Sequence, residues 1–144
     1  MRVHQILKDK PEQGVITITP TASVADAASL LSEKRIGSIV VSSDGAALDG
    51  ILSERDIVRE LGKRGSACMA DTVDALMTKD IISCAPSEDT VDVLQKMTDG
   101  RFRHMPVVED GKMVGLISIG DVVKARLAQL AMEKDALEGM IMGH

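Results

Sequence analysis

The chain has 144 residues, 44% of them hydrophobic and 27% charged, with a net charge of −5, which suits one compact soluble domain or two small ones. No apolar run approaches the roughly 20 residues that cross a bilayer, and the N-terminal stretch MRVHQILKDKPEQG has neither the apolar core nor the cleavage site of a signal peptide. The acidic balance gives no footprint for nucleic acid, and with no Trp, no Tyr and one Phe, Phe102, a planar base would have to be held by aliphatic side chains.

In chain order, a helical lead-in, VHQILKDK at 3–10, comes first. A short β-rich segment, Val15 to Thr19, ends at Pro20. Val24, Ala27, Ala28 and Leu31 then fall at i, i+3, i+4 and i+7, one face of a helix, with Ser23 as its N-cap. Two apolar runs follow, SIVVSS and AALDGILS, broken by Asp-Gly, a hairpin signal because glycine accepts positive φ. A second helix begins near Glu54, and Gly62 and Gly65 stop it at the head of a linker-like stretch, 62–72.

The order then starts again. VDALMTKD at 73–80 resembles the first lead-in, and Ile81 to Ala85 form a β-rich segment ending at Pro86. Val91, Leu94 and Met97 share a helix face after Asp89 or Thr90. MPVVE and KMVGLIS flank a second Asp-Gly, and a helix starts near Ile119. The stretch 120–142 carries an amphipathic face of Val123, Leu127, Leu130 and Ala131, which Leu137, Met140, Ile141 and Met142 extend as a Met-rich end.

The two halves align, with Pro20 on Pro86, Val24 on Val91, Ser53 on Ser118 and Asp56 on Asp121. Each is a β-α-β-β-α unit of about 50 residues, too few to bury a good core alone. The expected fold is therefore α/β (α+β): two tandem repeats packed sheet to sheet with pseudo-twofold symmetry, plus a C-terminal helix. The expected boundaries are 1–66, 67–128 and 129–144.

The phrases GILSERDIV and GLISIGDVV close the repeats. Ser-x-x-Asp ahead of an apolar helix is a capping box, in which the Ser oxygen takes an orphan N–H and the acid reaches back. The same junction collects backbone N–H groups at the positive end of a helix dipole, which suits an anion. An Asp there can also accept charge-assisted hydrogen bonds from a ribose diol. Both readings stand on the residues.

Other chemistry finds no support. There is no Gly-rich phosphate loop. His4, His104 and His144 show no ligand spacing, so no metal site is assigned. Cys68 and Cys84 read as free thiols of a reducing cytoplasm, one disulfide being the alternative. Ser118, His104 and Asp121 are not read as a nucleophilic triad, since the motif spacing explains the serine and the acid.

The ordered set of TITP and SCAP ahead of the helices, RHMPVVEDG, and GILSERD with GLISIGD, found twice over residues 1–128, resembles the CBS (cystathionine β-synthase) domain, two of which form a Bateman module. The resemblance implies a cytoplasmic regulatory binding module and not an enzyme. Its ligand would be an adenosine compound bound in the clefts between repeats: AMP foremost, with ADP, ATP, NAD(H) and S-adenosylmethionine as the other candidates. Phosphate-binding residues favour a phosphate-bearing ligand over S-adenosylmethionine. By the same resemblance, Asp121 holds the ribose of one site with Ser118 near the phosphate. Ile16, Thr17, Ile18, Thr19 and Val24 flank the base with Gly37 and Ser38, and Arg103 and His104 neutralise the phosphate. A weaker second site uses Asp56 and Ser53, with Ile81, Ile82, Ser83 and Ala85 at the base and Arg35 as the nearest basic residue. The Asp121 site is preferred because GRFRH, with Arg101, Arg103 and His104, is the densest short basic cluster of the chain, and because Thr19 offers a hydroxyl where the other half has Ala85. No obligatory cofactor, nucleic acid or membrane is implied. The expected partners are a second copy, forming a homodimer, and a regulated protein; the rival reading is a ligand-independent scaffold for dimerisation.

Overall fold

The computed structural model describes residues 1–9 and 15–141. The end of the first lead-in, Met142 and His144 lie outside the described residues. The chain divides into two units: the first gathers Gly14–Ile82 and Asp110–Val114, the second Met1–Gln13, Ser83–Glu109 and Gly115–His144.

In the first unit, strand β1 (Thr17–Ile18) pairs in parallel with β2 (Ser38–Val41), which pairs antiparallel with β3 (Gly50–Ser53). Helix α2 (Val24–Lys34) is capped by Ser23, whose Oγ accepts the Asp26 N–H at 3.0 Å. Its Val24, Ala27 and Leu31 are buried against Ile39, Val41 and Leu52 of the sheet, as the spacing predicts. Asp44 organises the β2–β3 turn: its Oδ1 accepts the Ala46 and Ala47 N–H groups at 2.9 and 2.7 Å, and Gly45 takes φ +87°. Helix α3 (Glu54–Arg64) runs through Gly62 and stops at Gly65, where φ is +68°. Gly62 therefore does not end it. The stretch read as a linker is a 3₁₀ segment, Gly65–Ala70, that buries Cys68.

In the second unit, helix α5 (Thr90–Gly100) is capped by Asp89, which accepts the Val91 N–H at 2.8 Å. Strand β4 (His104–Glu109) pairs with β5 (Lys112–Ser118), of which only Gly115–Ser118 belong to this unit; Asp110 and Gly111 between them are both at positive φ, the two-residue turn the Asp-Gly signal predicts. Helix α6 (Ile119–Ile141) follows. The core is Val93, Met97, Met105, Val107, Ile117 and Val122 with Val3 and Ile6. The buried face of α5 is Thr90, Val93 and Met97, whereas Val91 is exposed. The expected pairing of Val24 with Val91 is thus off by one. Ser23 and Asp89 are the equivalent caps, so Val24 matches Thr90.

The segment Ile81–Ala85 reduces to one parallel bridge, Cys84 to Val107, with Cys84 N–H on Pro106 O (3.0 Å) and Val108 N–H on Cys84 O (2.8 Å). The next rung would need an N–H from residue 106, and proline has none. In the first unit Ser42 N–H bonds Ile18 O at 2.9 Å, which puts Val40 where the second has Pro106, and there the ladder extends to Thr17.

Each lead-in docks on the motif of the opposite half of the sequence. In helix α1 (Val3–Asp9), Val3 N–H bonds Glu88 O at 3.0 Å, and in α4 (Val73–Leu76), Val73 N–H bonds Ala22 O at 2.8 Å. Val3 and Val73 are both fully buried. The spatial units therefore cross the sequence halves.

Candidate functional site

Each unit builds the same strand-to-helix junction from its own residues. In the first, Ser53 N–H donates to Asp56 Oδ2 at 2.9 Å and Asp56 N–H donates to Ser53 Oγ at 3.2 Å. In the second, Ser118 N–H donates to Asp121 Oδ2 at 2.9 Å and Asp121 N–H donates to Ser118 Oγ at 3.0 Å. Both are reciprocal capping boxes, so the helix-capping role of Ser-x-x-Asp is real in both places. It does not use up the carboxylate, which has two oxygens and about four lone-pair directions.

A second bond completes each junction. The first N–H of α3, Glu54, donates to Gly37 O at 2.9 Å, and the first N–H of α6, Ile119, donates to Arg103 O at 2.8 Å. The residue that precedes the incoming strand is thereby tied to the start of the helix. Arg103, exposed, and His104, half-buried, are held by this bond at the Ser118–Asp121 junction. In the first unit Gly37 and Ser38 stand at the Ser53–Asp56 junction, Ser38 opposite Ser53 in the strand register. Ser38 is 3% exposed, and its Oγ has no hydrogen-bond partner.

The residues expected at the Asp121 site divide between units. Ile16, Thr17, Ile18, Thr19, Val24, Gly37 and Ser38 belong to the first; Arg103, His104, Ser118 and Asp121 belong to the second. Thr19 is exposed, Ile16 to Ile18 are half-buried, and Val24 is wholly enclosed in its own core. Of the second set, Arg35, Ser53, Asp56, Ile81 and Ile82 lie in the first unit and Ser83 and Ala85 in the second. Asp56 also pairs with Arg59, one turn on, so both its oxygens are engaged. The i, i+3 spacing of Asp56 and Arg59 carries that pair in the sequence, where it went unread.

Among the described residues the first unit has a concavity of about 540 Å³ between α2 and α3, lined among others by Leu31, Arg35, Ile36, Glu54, Ile57 and Val58. Its one sequence signal is the apolar Val58 on a face of α3 that the core does not use; it is 66% exposed. Arg35 and Arg101 occupy the same place in the two units: each ends a helix in the left-handed conformation, at φ 54° and 55°. Cys84 is buried, and desolvation pushes its thiol up to about 11, which leaves it unreactive near neutrality. Cys68 and Cys84 are both free. Among the described residues no three His, Cys, Asp or Glu side chains gather as a metal site, and no helix is long and apolar enough to cross a membrane.

This twice-built junction is matched by a family model described as CBS domain, at residues 6–63 and again at 73–128. The chain belongs to the CBS-domain family. It is 35% identical over 129 residues to the mitochondrial CBS domain-containing protein CBSX3 of Arabidopsis thaliana, a match that spans 87% of this chain and 63% of that protein. Among solved structures it resembles the CBS-domain containing protein ATU1752 of Agrobacterium tumefaciens, with a TM-score of 0.83 and 40% identity, covering 88% of this chain and 99% of that one. It also resembles CBSX2 in complex with AMP, with a TM-score of 0.74 and 32% identity over 88% of this chain and 96% of that one. The tandem CBS fold expected from the repeats is the fold of the chain.

Proposed function

We propose that this CBS pair is a regulatory module that binds an adenine nucleotide, AMP foremost, and passes its occupancy to a partner protein without catalysing a reaction. The observation that carries the reading is the AMP held by CBSX2, a protein of the same fold at 32% identity. The chemistry of the second unit agrees with it. Asp121 supplies a fixed carboxylate for ribose hydroxyls, Ser118 marks a helix start that favours an anion, and Arg103 and His104 stand beside them for a phosphate. Ile16, Thr17, Ile18, Thr19, Val24, Gly37 and Ser38 complete the proposed set around the base. Ser38 Oγ, buried without a partner, carries a desolvation cost that a ligand's polar atom would relieve. Asp56, Ser53, Arg35, Ile81, Ile82 and Ser83 form the weaker site, which lacks a basic cluster like that of Arg101, Arg103 and His104. ADP, ATP and NAD(H) are the alternative ligands. The reading includes a homodimer in the cytoplasm as the working assembly. A ligand signals only by binding one state better than another.

The test is dye-monitored melting with and without AMP, ADP, ATP, NADH and S-adenosylmethionine, since the chain has no Trp or Tyr. Asp121→Asn and Asp56→Asn keep the side-chain shape and much of the cap, and each variant is judged by the difference between its own two melts. A ligand at a hundred times its dissociation constant adds about 2.7 kcal/mol of stability. The expected result is an AMP shift in wild type that Asp121→Asn abolishes and Asp56→Asn keeps. An unchanged shift in Asp121→Asn removes the ribose role. No shift with any ligand overturns the sensor in favour of the ligand-free scaffold.

A further inference from the structure

Helix α6 carries two faces. Over its first turns Ile119, Val122 and Ala125 pack on the core of the second unit. A different face runs through Val123, Leu127, Leu130, Lys134, Leu137 and Ile141. The steps are +4, +3, +4, +3, +4, the 3.5-residue spacing of a coiled-coil seam. Its apolar members stay open, from 40% exposed at Val123 to 77% at Ile141, including Leu127 and Leu130. Most of this face lies past residue 128, where the family match ends.

We propose that this seam pairs with the same seam of a second copy, the two α6 helices running antiparallel. The proposal rests on the homodimer part of the reading above and names its surface. The charges choose the occupant and its direction. Lys124 and Arg126 lie toward the start of the seam, and Glu133, Asp135 and Glu138 toward its end. A parallel pair would stack Lys134 on its own copy inside the seam and set Glu133 beside Glu138, like charge on like in both places. An antiparallel pair centred on residue 132 seats Lys134 against Leu130, Leu127 against Leu137 and Val123 against Ile141. It also sets Lys124 of each copy near Glu138 of the other, once at each end of the seam. The two Glu133 residues are offset by about 3 Å along the axis, each with Lys134 as its neighbour in the chain. Because Val123 and Leu127 are open, the partner's Leu137 and Ile141 have an apolar surface to land on.

The experiment uses the full chain. Sedimentation should show a dimer, and Leu130→Glu with Leu137→Glu should yield a monomer with unchanged helical circular dichroism, both side chains being exposed. Lys124→Glu should weaken the dimer, and adding Glu138→Lys should restore it. Direction is read by spin labels on Met132→Cys, an exposed position, and Gly139→Cys, where an added Cβ meets nothing within 4 Å. At about 1.5 Å per residue, antiparallel helices hold the two 139 labels about 21 Å apart along the axis and the 132 labels level. A dimer that ignores the double Glu variant overturns the seam while leaving dimerisation to another surface. Equal label distances at 132 and 139 overturn the antiparallel pairing. A monomeric wild type overturns the seam and the homodimer together, whatever the nucleotide panel shows.

Discussion

At the scale of single residues, the left-handed arginines invite a direct test. A side chain at positive φ brings Cβ against the following carbonyl, which is why glycine is preferred just past a helix end. Arg35→Gly and Arg101→Gly should each raise stability by about 1 kcal/mol, read as a higher denaturant midpoint at constant slope. A fall would mean that the guanidinium groups stabilise the fold through contacts of their own. Glu88 gives a pH test. Burial alone would raise its carboxyl, but bonds from Lys96 (2.5 Å) and the Ala85 N–H (2.6 Å) outweigh it and hold the group below its ordinary 4.5. A depressed folded value means the contribution is present above the ordinary glutamate range and lost as pH falls through the folded one. Glu88→Gln should therefore narrow the stability difference between pH 6 and the acid limb, measured by urea titration across that window.

At the scale of elements, the glycine that opens each repeated phrase has a packing reason. A Cβ on Gly50 would lie 2.5 Å from Met77 Sδ and 3.0 Å from Thr78 O, and one on Gly115 would lie 2.5 Å from Leu7 Cδ2. Both neighbours belong to the lead-in docked on that strand. Thr78 is held by two bonds to Ile51, at 2.8 and 3.0 Å, so its carbonyl cannot retreat. Leu7 meets Gly115 with the end of a flexible side chain. Gly50→Ala should cost about 1–3 kcal/mol by overpacking, and Gly115→Ala clearly less. Equal losses in a urea series would show that the backbone contact at Thr78 is not what resists. Much at this scale was readable in the sequence. Ser23, the Asp-Gly turns, and the capping boxes at Ser53 and Ser118 are each made by groups within four residues of one another. The exposed Val91 and the shortened segment before Pro86 were not, because a one-residue helix offset and a missing rung depend on partners elsewhere in the chain.

At the scale of the whole molecule, the exchanged lead-ins predict how the chain fails. Val3 and Ile6 are part of the second unit's core although they begin the chain. A buried side chain of this size contributes about 1.5–3 kcal/mol, so removing residues 1–9 should open that core. Amide exchange should accelerate in α5, β4 and β5 while α2, β2 and β3 keep their protection, since their own lead-in, α4, remains. Uniform acceleration would mean that the two units unfold as one.

The sequence by itself determined the repeat, the family, the caps, the turns and the pairing of Ser with Asp in each closing phrase. These follow from residue type and short spacing, where backbone geometry leaves few alternatives. Only the tertiary structure decided which lead-in completes which core. It alone decided that the first β segment survives where Val40 offers an N–H and fails where Pro106 does not. Those outcomes turn on groups brought together from distant parts of the chain, and no local pattern carries that information.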